Sequence, residues 1–468
     1  MEDLLEKTWE RLITVYDVIV IGSGVGGYPA AIYLASHGYK TAIIEEHLIG
    51  GECTNYGCVP SKALYHIAQA ISALEKIDAD ININFKNIRK FIVDQVDRAR
   101  KGIEYLLEKS GVEIIRGHAR FTSPGEVRVR NNVYRADKYI IATGTRPRCL
   151  PGLVFDGKII VSNRHIFSVE EAPESLAIIG GGVIGIEIGN IFADLGVNVT
   201  VIEALDHILP FLDRDVALTI KRYLRSKTIS IYEKTTATKI SADEGQAKIL
   251  LSNGENIVAD KVLISIGRTP NTGDLGLFEA GVETDEKGFI KLVDGYQTHN
   301  PRIYAVGDVI GGPLLAHKAI IESILAAKQI MGEKIKRIEY HMVPQTIFSG
   351  LEYAGIGYTE KELKARGIKY KKLRAPLSFL SAVRIKGPEY CFAKILVDNK
   401  DNVLGIHIVA PQASEVISAY VPLYLAKLTP EELATFPYPH LTVSESLRVI
   451  GELLLGESIH LLKLGRKK

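Results

Sequence analysis

The chain has 468 residues, 46% apolar and 24% charged, with a formal net charge of +2. That length favours two to four domains with ample material for buried cores, and the balance of acids and bases, with no long run of one sign, argues against a nucleic-acid-binding surface. Its four cysteines are too few for a disulfide-built secreted scaffold, and no run of eighteen apolar residues offers a membrane span.

The opening MEDLLEKTWERL is acidic and lacks the basic and apolar segments of a secretory signal, so a cytoplasmic location is expected. At the other end, Leu464 to Lys468 reads as a solvated basic tail. From Tyr16, YDVIVIG predicts a buried strand, GlySerGlyValGlyGly a tight turn, PAAIYLASHG a helix and KTAIIEE a second strand. Gly22, Gly24 and Gly27, with Glu45 closing the second strand, meet the contextual test for a dinucleotide site. The glycines let backbone approach a pyrophosphate at a helix N-terminus, and the carboxylate accepts hydrogen bonds from a ribose diol. Pro29 falls within the first helical turn, where a missing N–H costs little.

Next comes GGECTNYGCVPSKALY, Gly50 to Tyr65, and then ADKYIIATGTRP from Ala136. SLAIIGGGVIGIEIGNIFADLGVNVTVIEA repeats the first pattern, with Gly180, Gly182, Gly185 and Glu203 each 158 positions after its counterpart. ADKVLISIGRTP echoes Ala136 onward at an offset of 123. The fold class is therefore α/β, with two homologous Rossmann-like units. The offsets differ by 35, so the first copy carries 35 extra residues between fingerprint and exit motif. The cysteine stretch lies in that interval and reads as a functional insertion beside the first ligand.

Zinc sites generally need four ligands, and neither His66 nor the distant Cys149 and Cys391 supplies a second pair for Cys53 and Cys58, so no metal is expected. A purely stabilising disulfide closing so short a loop removes little unfolded-state entropy. A nucleophilic thiolate near a helix start, with Lys62 one turn on, fits better. Cys149 and Cys391 read as small buried apolar residues.

With GGxCxNxGCxPSKAL set between two GxGxxG units, the chain resembles the flavoprotein disulfide reductases. The resemblance spans nearly the whole chain: ATG at 142–144, GRTPN at 267–271, RIYAVGD ending at Asp308, LAHKA at 315–319 and PHLTVSE at 439–445. It implies an FAD-binding domain with a redox-active disulfide over 1–150 and an NAD-binding domain over 151–272. A central segment, 273–340, would complete the FAD site, and 341–468 would form an α+β dimerisation domain of a homodimer. FAD would be held by Gly22, Gly24, Gly27, Glu45, Lys62, Thr143, Gly144, Asp308 and Ala316, and NAD by Gly180, Gly182, Gly185, Glu203, Gly267 and Arg268. Without those roles Asp308 would be a turn residue and Arg268 a surface guanidinium.

By the same resemblance Cys58 lies nearest the flavin and Cys53 exchanges with a substrate dithiol. His440 is the base, oriented by Glu445 and supplied by the partner subunit, and Lys62 and Glu187 form an ion pair near the flavin's reactive nitrogen. Glu203, with no Arg or Lys following until Arg214, favours NAD over NADP. Both redox cysteines are present and the C-terminus holds no further pair. What remains are the members that oxidise dihydrolipoyl groups on a carrier protein, in a 2-oxoacid dehydrogenase complex or the glycine cleavage system. NADH-dependent reduction of another low-molecular-weight disulfide is the alternative. A non-catalytic flavoprotein scaffold is a third, opposed by the retained Cys53, Cys58, His440 and Glu445. Neither nucleic acid nor membrane is an expected partner. Two departures stand out: the family's HisProThr is His440, Leu441 and Thr442 here, and its preceding histidine is Tyr438. A cis bond before leucine would cost about 3 kcal/mol, so the Tyr438–Pro439 bond is expected to make the turn, in cis.

Overall fold

The structure, a computed structural model, describes residues 14–243, 245–426 and 428–458. The acidic opening segment before Thr14 and the basic tail at 464–468 lie outside the described residues.

The YDVIVIG run forms the strand Thr14–Ile21, which pairs in parallel with Thr41–Glu45 on one side and Asn132–Ile141 on the other. Glu113–Arg116 extends the sheet beyond Thr41–Glu45, and Ile303–Ala305 joins Asn132–Ile141 in parallel. The antiparallel strands Glu126–Val129 and Ala119–Ser123 complete seven strands. The central strand is apolar on both faces because both are covered. Ile19, Ile21, Ala42 and Ile44 pack with Leu275 and Ile290, while Val18, Val20 and Ile43 pack with Ala30, Leu34 and Ala326. Pro29 sits in the first turn of helix Tyr28–Ser36, as expected.

The second unit repeats this pattern in the same register. Ile21 pairs Ile44 and Ile141, and 158 positions on Ile179 pairs Ile202 and Ile264. Its parallel sheet runs Ser230–Tyr232, Asn198–Ile202, Ser175–Ile179, Lys261–Ile264 and Ile160–Val161. The first copy's extra chain crosses from Glu45 to Glu113 as three helices, Gly51–Tyr56, Cys58–Glu75 and Phe85–Lys109; the second copy crosses with one, Arg214–Ser226.

The C-terminal sheet is antiparallel, in the order Gln345–Ile347, Tyr353–Gly357, Val403–Val409, Phe392–Val397 and Lys371–Pro376. One continuous core joins it to both other parts: Leu64 and Ala68 of the cysteine-bearing helix, Ile188 and Phe192 of the second unit, and Ile395 and Ile406 of this sheet. Asp213, Asp215 and Glu360 gather where a metal could bind. Lys394 Nζ already stands among them at 2.7, 2.8 and 3.3 Å, fully buried, as a cationic clamp between second unit and sheet. Among the described residues no helix is long and apolar enough to cross a membrane.

Candidate functional site

A cleft of ≈ 1030 Å³ opens where the first sheet's strand ends meet the inserted helices; Gly22, Gly24, Glu45, Cys53, Cys58, Lys62, Thr143, Gly144, Asp308 and Ala316 all line it. Gly22 adopts φ +98°, and a Cβ there would stand 2.5 Å from Ala142 O, so only glycine fits. Gly27 does not line the cleft; a Cβ on it would collide with Gly22 O, so it sets the approach of helix to strand. Buried Glu45 accepts from Ser23 N at 2.9 Å, Ser23 Oγ at 2.6 Å and His47 N at 2.9 Å.

The glycine pair ahead of the cysteines has a local cause. Gly51, at φ +60°, places its Cβ position 2.7 Å from Gly24 Cα, so the insertion lies directly on the fingerprint turn. Cys53 on helix Gly51–Tyr56 and Cys58 at the start of the next helix are joined in a disulfide. Cys391 is buried as expected, which pushes its thiol up to about 12. Cys149 is only half-buried, a correction to its reading as a core residue.

Lys62 reaches across to the second unit: its Nζ is 2.5 Å from Glu187 Oε2 and 4.1 Å from the Phe348 ring centroid. Glu187 Oε1 accepts from Phe348 N at 3.0 Å, so this pair ties three parts of the chain at the cleft wall. Asp308 accepts from Thr145 Oγ1 at 2.9 Å. Its short helix, Gly307–Ile310, is pinned by two residues that sequence reasoning passed over. Buried Lys318 donates to Gly307 O and Gly311 O at 3.1 and 2.8 Å, and Glu322 accepts from Gly307 N at 2.9 Å. Burial pushes Lys318 down and Glu322 up from their ordinary pKa values. LAHKA followed by a glutamate one helical turn on was the available signal.

A second cleft, ≈ 770 Å³, is lined by Gly180, Gly182, Glu203, Gly267 and Arg268. Gly185 lies behind it, its Cβ position 2.8 Å from Ser265 Oγ. Glu203 accepts from Gly181 N at 2.7 Å and Leu205 N at 2.8 Å, matching Glu45. Lys234, far beyond Glu203 in sequence, donates its backbone N–H to Leu205 O, and its Nζ pairs with Asp206 at 3.3 Å. The two clefts share Val183, Ile184, Arg268, Leu314, Leu315 and Thr346. Arg268 is 11% exposed; it donates to Thr145 Oγ1 and O at 2.7 and 2.8 Å and lies 3.2 Å from Glu52. Glu52 also meets Arg164 and Asn163. Burial works to raise its carboxyl, but the two guanidiniums and the amide outweigh that and hold it below the usual range.

His440 and Glu445 line neither cleft. His440 Nδ1 is 3.1 Å from Glu445 Oε1, with the histidine side chain 82% exposed and the glutamate 9%. The expected cis bond is absent: no cis peptide occurs among the described residues, so Tyr438–Pro439 is trans. Leu441 makes the reversal instead at φ +58°, a conformation that proline's ring forbids. Thr442 Oγ1 donates to Pro439 O at 2.8 Å and closes the loop.

The sequence profile of the pyridine nucleotide-disulphide oxidoreductases matches residues 16–323, and the profile of that family's dimerisation domain matches 343–449. The chain belongs to this family. Dihydrolipoyl dehydrogenase of Thermus scotoductus is 36% identical over 458 residues, 96% of this chain and 99% of the relative. Among solved structures, the Cu(II) complex of the HOCl-induced flavoprotein disulfide reductase RclA from Escherichia coli superposes with a TM-score of 0.86 at 27% identity, covering 94% of this chain and all of that one. LpdA from Mycobacterium tuberculosis has a TM-score of 0.86 at 26% identity, covering 94% and 99%. As a member of the family the protein is a disulfide-linked oxidoreductase with two nucleotide-binding units and a dimerisation domain.

Proposed function

We propose that the protein oxidises dihydrolipoyl groups on a carrier protein to lipoyl groups with NAD+. One observation carries the reading: the Cys53–Cys58 disulfide stands in the wall of the first cleft, and that cleft runs into the second past Val183, Ile184 and Arg268. The clefts fit their cofactors, FAD and NAD. A Cβ at Gly144 or Gly182 would meet no heavy atom within 4 Å beyond its own chain neighbours, so these cleft residues border open space in which a ligand fits. Bound FAD supplies a two-electron carrier between the cysteine pair and the nicotinamide.

The chain's own residues divide the work. Gly22, Gly24 and the helix behind Gly27 would hold the first dinucleotide's pyrophosphate, and the Glu45 carboxylate would accept from its ribose diol. Gly180, Gly182, Gly185 and Glu203 would do the same for NAD, with Gly267 in the same cleft and Arg268 shared by both. Thr143, Gly144, Asp308 and Ala316 line the same cleft as the cysteines, and Lys62, held by Glu187, stands one helical turn beyond Cys58. A substrate thiolate attacks Cys53 Sγ, the Cys53–Cys58 bond breaks, and Cys58 leaves as a thiolate. The second substrate thiolate then displaces Cys53. The substrate dithiol becomes a disulfide, and its two electrons reside in the cysteine pair. The partner subunit's His440, oriented by its glutamate, accepts the thiol proton, so the homodimer is required for turnover. The carriers are those of a 2-oxoacid dehydrogenase complex or the glycine cleavage system, in the reducing cytoplasm.

One assay tests this: the dihydrolipoamide, glutathione and coenzyme A thiol–disulfide couples, each run in both directions with NAD+/NADH and NADP+/NADPH. Fastest turnover with dihydrolipoamide and NAD+ is expected; faster reduction of a glutathione or coenzyme A disulfide by NADH would replace the reading. Leu441 at the family's proline position favours that second reading, since it reshapes the loop beside the base.

A further inference from the structure

The Cys53–Cys58 bond is both the reacting group and a tether of the turn that carries it, so the turn needs another anchor whenever the bond is open. Asn55 Nδ2 donates to Ile49 O and Gly51 O at 3.0 and 2.9 Å, which ties the segment only to itself. Its charged ties to distant elements run through Glu52, beside a hydrogen bond between Tyr56 Oη and His47 Nε2. Oε2 accepts from Arg164 Nε at 2.9 Å and lies 2.7 Å from a terminal nitrogen of the same guanidinium. Oε1 accepts from Asn163 Nδ2 at 2.9 Å and lies 3.2 Å from Arg268. Asn163 also donates to Tyr56 O at 3.0 Å, and the Arg164 guanidinium stands 5.5 Å from the Tyr56 ring centroid. Arg268 is itself fixed by Thr145, whose hydroxyl reaches Asp308. Charge-assisted bonds of this kind are about twice as strong as neutral ones, and all four donors come from elements outside the first sheet's own strands and inserted helices.

We propose that Glu52 is a positioning residue for the dithiol half of the reaction. Its carboxylate holds the Gly51–Tyr56 turn against Asn163, Arg164 and Arg268 while the Cys53–Cys58 bond is open, keeping Cys53 in line with the substrate sulfur. The proposal rests on the dithiol reading above. A static anchor would matter equally in both redox states; this one matters when the covalent tether is gone.

The test uses the flavin-loaded full-length dimer as wild type, Glu52→Gln and Glu52→Ala. Backbone amide exchange over residues 51–58 is followed with the disulfide intact and after reduction by tris(2-carboxyethyl)phosphine, which opens it without relying on any substrate. With the disulfide intact the three proteins are expected to exchange alike. After reduction Glu52→Ala exchanges about tenfold faster than wild type, Glu52→Gln lies between, and kcat with dihydrolipoamide falls in the same order while KM for NAD+ holds within about twofold. Equal exchange in the reduced proteins overturns the proposal, as does faster exchange of the variants in both redox states. Variants that show the redox-dependent exchange beside a wild type that turns over no dihydrolipoamide overturn the substrate reading and leave the anchoring result standing.

Discussion

The two nucleotide units make the same backbone turn with the same bonds. Gly22 N reaches Ile44 O and Gly180 N reaches Ile202 O, both at 2.8 Å; Ala142 N reaches Ile21 O and Ser265 N reaches Ile179 O, again both at 2.8 Å. Within the turn they differ at two positions, Gly26 against Ile184 and Ser23 against Gly181, and the second of these changes the bonding. Ser23 stands where the second unit has Gly181, and its hydroxyl both donates to Glu45 and accepts from Gly50 N at 3.3 Å. A single side chain thus couples the first fingerprint to the inserted cysteine segment, while the second turn stays bare. Duplication supplied two binding clefts, and the insertion made one of them a redox centre.

The harshest way to break the equivalence removes the insertion's chemistry and leaves the binding. Cys53→Ser is expected to lower dihydrolipoamide turnover at least about a thousandfold while flavin stays bound and is still bleached by NADH, read by absorbance; undiminished turnover would refute Cys53 as the exchange thiol. A paired change separates the units. Gly27→Ala should cost flavin retention and Gly185→Ala should raise KM for NADH, each by roughly 10 to 100-fold, because overpacking of this kind costs about 1–3 kcal/mol. Equal effects of both variants on flavin content would show that the clefts are not independent.

Outside both units, Leu441→Pro forces φ to about −65° where the loop needs the left-handed region. A roughly tenfold loss of dihydrolipoamide turnover is expected, with Leu441→Gly retaining activity and gaining about 1 kcal/mol in denaturant unfolding. The smallest effect sharpens the role of Glu52. Its carboxyl is held low, so its ionisation contributes stability above the ordinary glutamate pKa of about 4.3, and that contribution is lost as pH falls through the depressed folded value. Melting temperatures from pH 7 to pH 3 should fall less steeply in Glu52→Gln than in wild type; parallel curves would contradict the depressed carboxyl.

Legibility in the sequence followed periodicity and repetition. Both glycine fingerprints, their strands and their acidic residues could be read because a buried parallel strand imposes an apolar run and a pyrophosphate turn admits only glycine. Gly24 and Gly51 were legible as glycines, but not as each other's neighbours. The Tyr438–Pro439 turn was misjudged because local cost placed the irregularity at proline, whereas the loop placed it at Leu441 in the left-handed region. Glu52, Asn163 and Arg164 escaped notice since their meaning lies in a contact spanning 111 and 112 positions.

Residue type and spacing alone determined that the chain holds two copies of a dinucleotide turn, with one close cysteine pair between them, because those features are dictated by local backbone sterics and by what a thiolate can do. Tertiary structure decided that the pair shares a cleft wall with Asp308 and Ala316, that Lys62 meets Glu187, and that His440 stands apart from them in the same chain. These are placements set by packing three parts of the chain on one continuous core, and no local pattern of residues encodes which distant side chains that packing brings within a hydrogen bond.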